Sequence, residues 1–390
     1  APGTPVVLRH DVYGFNAMEF LSCEDVVLEN VTVHTAPGMA MLAAMSHNIT
    51  LRKVQIRIPP RSGRMMTTTA DGTMFSSCSG RVQIEDCYFE GMGDDGVNVW
   101  TKYMVVQKIL PPDSVLAAAP KGWRGPQPLP GETIELIHPK TMLVYSTRTV
   151  RAAELDRKAG AYRIQFTEPL PQETTVNDVA CDVSRLASLR ILRTTVRGNR
   201  ARAFLVSTRD AVIDACHVQY QTMSGINVYC DAKRASFQGS GVRNVTIRNS
   251  EFEGCAAAPI FVYAEASSPR PGAHKDITIE GNVFRASPPM DKLRLKPDKR
   301  KYLYWTSAIY LRSVDQAIVR NNTFDGFELA AYVGASKGVT LEGNRSALPA
   351  GVFLSEESRA TVVFRNNVDL NAEIDATVPW SAHYYVVGQR

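Results

Sequence analysis

The chain has 390 residues, 44% hydrophobic and 21% charged, with 44 basic against 39 acidic side chains. Such a composition supports a buried core rather than a disordered chain, and a net charge of +5 without a basic stripe excludes a nucleic-acid surface. No apolar run approaches the ~18 residues of a spanning helix, so no membrane span is expected.

The opening APGTPVVLRH has neither the basic nor the apolar stretch of a signal peptide, so none is expected in the sequence given, one already removed or a longer parent chain being compatible with this. From there a short phrase recurs: apolar or β-branched residues, a polar pair rich in Asn or Gly, then Val or Phe. Its first copies are VVLENVTV (26–33), ITLRKVQI (49–56) and VQIEDCYF (82–89). Residues 101–183 differ, being rich in Pro and Gly with alternating strands and hairpin-like turns, and predict an antiparallel β-barrel-like domain inserted after one coil. The phrase resumes at LRILRTTV (189–196) and continues through AVIDACHV, VTIRNSEF, ITIEGNVF, AIVRNNTF and VTLEGNRS to TVVFRNNV (361–368).

The central apolar residues set the period. Leu28 to Leu51 is 23 residues, Ile191 to Ile213 is 22, and Leu341 to Phe364 is 23, with longer steps where loops are added. A strand, a turn at Asn and another strand per 22–23 residues, with no amphipathic helix between, predict an all-β chain: one coil per repeat of a right-handed parallel β-helix. Asn at the turn tolerates the left-handed conformation and can hydrogen-bond along the stack. The expected division is 1–100 for the N-terminal coils, 101–183 for the insertion and 184–390 for the C-terminal coils. The tail TVPWSAHYYVVG (377–388) is a candidate cap for the solenoid end. Seven cysteines without CxxC spacing exclude a fully paired framework within one chain and read as small core residues.

Three aspartates interrupt strand-like runs: Asp71 in TTTADGTMF and Asp94 and Asp95 in GMGDDGVNV. Asp71 and Asp94 are 23 residues apart, one coil period, which predicts that they stack with Asp95 beside them. Single Asp residues beside Gly usually serve turns, but three carboxylates on one strip repel and raise at least one pKa. Hydrolysis of a glycosidic bond uses such a set, one carboxyl protonating the leaving oxygen and another activating water or attacking carbon. Splayed side chains on stacked coils would widen the gap towards the roughly 6.5–9.5 Å of an inverting enzyme.

VTVHTAPGMA (31–40), the whole run 63–99 and NRARAFLVST (199–208) resemble glycoside hydrolase family 110, most specifically over 63–99. The resemblance spans about residues 10–285. It implies a parallel β-helix with barrel insertions and an inverting exo-α-galactosidase active on α-1,3-linked galactose, including blood-group B structures. It places the catalytic aspartates on Asp71, Asp94 and Asp95, with Asp94 as general acid and Asp71 and Asp95 as candidates to activate water. The chain departs from the family pattern in ADGTM (70–74), where that pattern has Ala-Asp-Ala-x-His, and in SFQGSG (236–241), which lacks the family's Glu.

Arg200 and Arg202 offer forked donors for sugar hydroxyls or for a carboxylate partner, the plainer alternative being surface salt bridges. Asn98 offers a carboxamide to substrate or to a catalytic Asp, or serves as a ladder residue of the turn. All three are expected substrate-binding residues. Tyr302, Tyr304 and Trp305 form either a sugar platform or an aromatic plug over the core, and His34 either lines a cleft or is structural. No metal or cofactor is expected. The expected partner is a galactose-containing glycan in an extracytoplasmic setting, with homo-oligomerisation left open. Rival readings are a polygalacturonase-like hydrolase, which this chain matches less well for want of a Gly-His-Gly coil, and a Ca²⁺-dependent lyase using Arg200 or Arg202 as base. A non-catalytic glycan-binding solenoid is the third.

Overall fold

The computed structural model describes residues 3, 6–119, 126–232, 238–286 and 307–374. The aromatic trio Tyr302, Tyr304 and Trp305 and the tail 377–388 lie outside the described residues.

Each coil closes three parallel faces. In the coil that carries Asp71 the strands are Thr73–Ser76, Ser79–Glu85 and Tyr88–Glu90. The second face is a ten-stranded parallel sheet, and the recurring phrase lies on it in register from end to end. Leu28 pairs with Leu51, Leu51 with Ile84, Ile84 with Ile191, and so on to Leu341 with Phe364. Alternation sends these apolar residues inward and the charged residue after them outward. Outside, Glu29, Arg52 and Glu85 stack with alternating sign, as do Glu280 with Arg320 and Glu342 with Arg365. Exposed pairs of this kind contribute about 0–1 kcal/mol each, so the apolar columns carry the stability. In one of them Phe252, Phe284 and Phe324 stack with centroids 5.1 and 5.2 Å apart.

The turn after the second face divides between two positions the roles that the sequence assigns to one Asn. The first residue takes a left-handed φ, as at Asn249, Asn321 and Asn366. The next residue points inward. In the C-terminal coils it is Asn282, Asn322, Asn344 and Asn367, and each Nδ2 of the first three donates to the next Oδ1 at 3.0 Å. Each Nδ2 also donates to a backbone carbonyl of the preceding coil, as Asn322 does to Ile279 at 2.9 Å. Nearer the N-terminus the same column holds Val54, Cys87, Thr194, Cys216 and Ser250, so the continuous Asn ladder follows a mixed column of apolar, thiol and hydroxyl side chains.

Six strands between Tyr103 and Asp182 form a closed antiparallel barrel. It is inserted within a coil rather than after one: it leaves at Trp100, the end of a first-face strand, and returns at Ser188, the start of the second-face strand of the same coil. Both strands keep their places, Val97 pairing with Phe204 and Leu189 with Val82. Glu135 of the barrel accepts from Arg209 of the solenoid at 3.0 and 2.6 Å and from Ser240 at 3.1 Å. This fork fixes the barrel against the coils that follow the aspartates.

Replacing Asn322 with Ala strips Asn282 N–H and the Ile279 carbonyl of their partners inside the core. The expected loss is about 2–4 kcal/mol, read as a lower urea midpoint for this variant than for the unchanged chain.

Candidate active site

The turn before each first-face strand carries the site, and its glycines show how tightly the turns stack. A Cβ on Gly72 would meet the Gly96 carbonyl at 2.6 Å, and one on Gly96 would meet the Ala203 carbonyl at 2.6 Å. Glycine after each Asp therefore lets the turns close together.

The register pairs Thr73 with Val97 and Val97 with Phe204. Counting back two residues, Asp71 stacks on Asp95 and Asp95 on Arg202. The sequence spacing suggests Asp71 over Asp94, but this coil is 24 residues long, and Asp94 stacks instead on Ala70, its N–H donating to the Ala70 carbonyl at 3.2 Å. One carboxylate oxygen from each of the three lies within 4.8 Å of the others.

Hydrogen bonds distinguish the three. Asp71 is buried and its Oδ1 accepts from Asp95 N at 3.0 Å. Asp95, also buried, is gripped by Arg202: Nε donates to Oδ1 at 2.7 Å, Nη2 to Oδ2 at 2.8 Å and the backbone N to Oδ1 at 3.0 Å. Asp94 is half-buried, and its Oδ2 accepts from Tyr13 Oη at 2.9 Å, with Arg200 Nη1 at 3.9 Å. Arg9 ties the segment before the first coil to both turns, donating to the Thr69 and Gly93 carbonyls at 2.8 and 2.9 Å.

The electrostatics follow. Burial, then Asp95 and Asp94, push Asp71 well above the ordinary carboxylate range. Burial and Asp95 push Asp94 up, against Arg202, Tyr13 and Arg200. Burial works against the charge of Arg202, but Asp95 outweighs it and holds the guanidinium protonated. Two raised carboxyls beside one fixed cation let the corner keep a proton where isolated aspartates would have none.

Residues 183–388 match the family described as "Right handed beta helix region", more than half of the chain. The chain belongs to this right-handed β-helix family. Within it, the chain is 30% identical over 276 residues to Alpha-1,3-galactosidase B of Phocaeicola vulgatus, covering 68% of this chain and 46% of that protein. It is 27% identical over 368 residues to Alpha-1,3-galactosidase B of Bacteroides thetaiotaomicron, covering 89% and 56%. It is 28% identical over 280 residues to Alpha-1,3-galactosidase A of Akkermansia muciniphila, covering 71% and 46%. The chain spans about half the length of these curated relatives.

On the β-helix, the residues singled out in the sequence divide as follows. Asp71, Asp94, Asp95, Arg200 and Arg202 gather at one corner, Arg202 taking up its carboxylate alternative. Asn98 lies three residues beyond Asp95 on the outward face of Val97–Trp100 and is buried. His34 stands apart, its Nδ1–H donating to the Arg57 carbonyl at 2.9 Å. Sequence reasoning misses Tyr13 and Arg9, which precede the repeat and carry no periodic signal. It also misses Asn227, although GINV (225–228) echoes GVNV (96–99). No helix of the described residues is long and apolar enough to cross a membrane.

A carboxyl whose pKa is higher in the folded chain than in the unfolded one binds its proton more tightly when folded. Its contribution to stability is full at low pH and is lost as pH rises through the folded value. Asp71→Asn retains an acceptor for Asp95 N–H and removes the charge. Its melting temperature is expected to exceed that of the unchanged chain at about pH 7.5 and to converge with it towards about pH 4. Differential scanning fluorimetry across that range checks this.

Proposed function

We propose that this chain is the catalytic solenoid of a family 110 type glycoside hydrolase, which removes terminal α-1,3-linked galactose from an extracytoplasmic glycan. One observation carries the reading: three carboxylates with one oxygen each within 4.8 Å of one another, one of them neutralised by a half-buried arginine. The relatives' names supply the sugar and linkage.

Asp94 is the general acid. It is the least buried of the three, it holds its proton above the ordinary range, and Tyr13 occupies Oδ2, leaving Oδ1 to protonate the leaving oxygen. Asp95 is a poor base, because both its oxygens are engaged by Arg202. Asp71 keeps Oδ2 and a high proton affinity, so it takes the proton of the attacking water. The three titrate as one system, with Arg202 as the positioning residue and Arg200 as a donor to substrate.

The Arg202 fork also weighs against the Ca²⁺ reading. A cation in this cluster would meet one carboxylate already neutralised, and an arginine held protonated by Asp95 makes a poor base for a lyase.

By the family resemblance the reaction inverts, and β-galactose leaves first. The spacing supports a second outcome. One oxygen from each carboxylate lies within 4.8 Å of the others, a reach compatible with the roughly 5–5.5 Å between the carboxyl groups of a retaining enzyme. Asp71 would then attack the anomeric carbon, and α-galactose would leave first.

Incubation with an α-1,3-galactosyl oligosaccharide is expected to release galactose equally with and without EDTA. Asp94→Asn should lower kcat/KM by about 10²–10⁴-fold. Early NMR spectra identify the first anomer and decide the stereochemistry. No galactose from any α-galactoside overturns the hydrolase reading, and loss of activity with EDTA overturns metal independence.

A further inference from the structure

Two side chains on the outward face beside the aspartates have an unmet need. Asn98 and Asn227 are each 4% exposed, and the Oδ1 atom of each is buried without a hydrogen-bond partner among the described residues. The ladder carboxamides are fully supplied, Asn282 bonding the Ile247 carbonyl, Ser250 N and Asn322 Oδ1, all at 3.0 Å, and Gln221, whose Oε1 is also orphaned, still donates from Nε2 to the Val196 and Gln219 carbonyls. An orphaned acceptor costs stability in the free protein, so two at equivalent places call for a cause outside it.

Their placement suggests one. Asn98 pairs in register with Leu205, and Leu205 with Asn227. The flanking residues Val97, Val99, Ile226 and Val228 point into the core, so this strip of three faces outward. Asp95 and Arg202 stand three residues before Asn98 and Leu205, placing the carboxylate corner along the edge of the strip. The coils are stacked about 4.8 Å apart, so the two carboxamides are about 10 Å apart across the leucine. Two hydroxyls on opposite edges of a hexopyranose, roughly 5 Å apart, with a hydrogen bond of about 2.8 Å at each end, cover the same distance.

We propose that Asn98, Leu205 and Asn227 form the floor of the terminal-sugar subsite, with Asn227 as a specificity-determining residue. Leu205, 1% exposed, spaces the two carboxamides, and each carboxamide binds a hydroxyl on one edge of a hexopyranose ring. Rotation about the last side-chain bond exchanges the amide oxygen and nitrogen, so each Asn can meet a hydroxyl as acceptor or donor. This assignment rests on the glycosidase reading for its reaction, but not for its ligand.

The test is Asn227→Leu, which repeats the leucine already present one coil away and removes the orphan. The melting temperature is expected to stay level or rise, while kcat/KM on the α-galactosyl oligosaccharide falls about 10–100-fold. Galactose binding by Asp94→Asn, followed by saturation-transfer NMR, should disappear when Asn227→Leu is added. Asn322→Ala is the contrasting control, lowering the melting temperature while keeping activity per folded molecule. A drop in melting temperature with activity retained in Asn227→Leu makes the residue structural and overturns the proposal. If the unchanged chain releases no galactose, the hydrolase reading fails separately. The floor is then judged on binding of a monosaccharide panel alone, and equal binding with and without Asn227→Leu overturns it.

Discussion

Every coil of this protein hydrogen-bonds to the next at the strand spacing of about 4.8 Å, and a side chain has little choice but to sit on its counterpart one coil away. That constraint turns the sequence into columns. Where the column is aliphatic or aromatic, the result is a core. Where it is Asn, a hydrogen-bonded ladder forms inside the core. Where it is Asp on Asp, the result is a repulsion that must be answered from the next position in the column. Arg202 occupies that position and answers it for Asp95, leaving Asp71 and Asp94 to share a retained proton.

The same constraint explains which parts of the molecule can be read from the sequence. The ten central apolar residues from Leu28 to Phe364 have the correct register because a parallel stack preserves the period that the phrase displays. The inserted barrel is visible because its alternation breaks that period. The stack of Asp71 on Asp95 is not visible, since a 22–23 residue average cannot reveal that one turn has an additional residue. The difference has a structural consequence: Asp94 stacks on Ala70 rather than on Asp71 and is the least buried of the three carboxylates.

Other features of the site lie beyond periodic reasoning altogether. Tyr13 and Arg9 come from the segment before the repeat and reach the site by crossing the turns. The carboxylate-binding role of Arg202 depends on an interaction across the entire insertion, 107 residues from Asp95. Asn227 illustrates the opposite failure. Its motif is legible, but an Asn beside a Gly in a solenoid passes for a turn residue until its side chain is found buried with no partner.

The location of the barrel has a consequence for the order of assembly. Because the chain departs from one face of a coil and returns at the next face of the same coil, the Asp95–Arg202 contact cannot close as a local event. The entropy of bringing distant segments together grows only slowly with their separation, yet non-local contacts retard folding. A barrel with its own antiparallel pairings brings its two ends near each other once folded, and so shortens the effective loop. The barrel therefore spans the 107 residues between Asp95 and Arg202 with a closed structure that returns the chain to the coil it left.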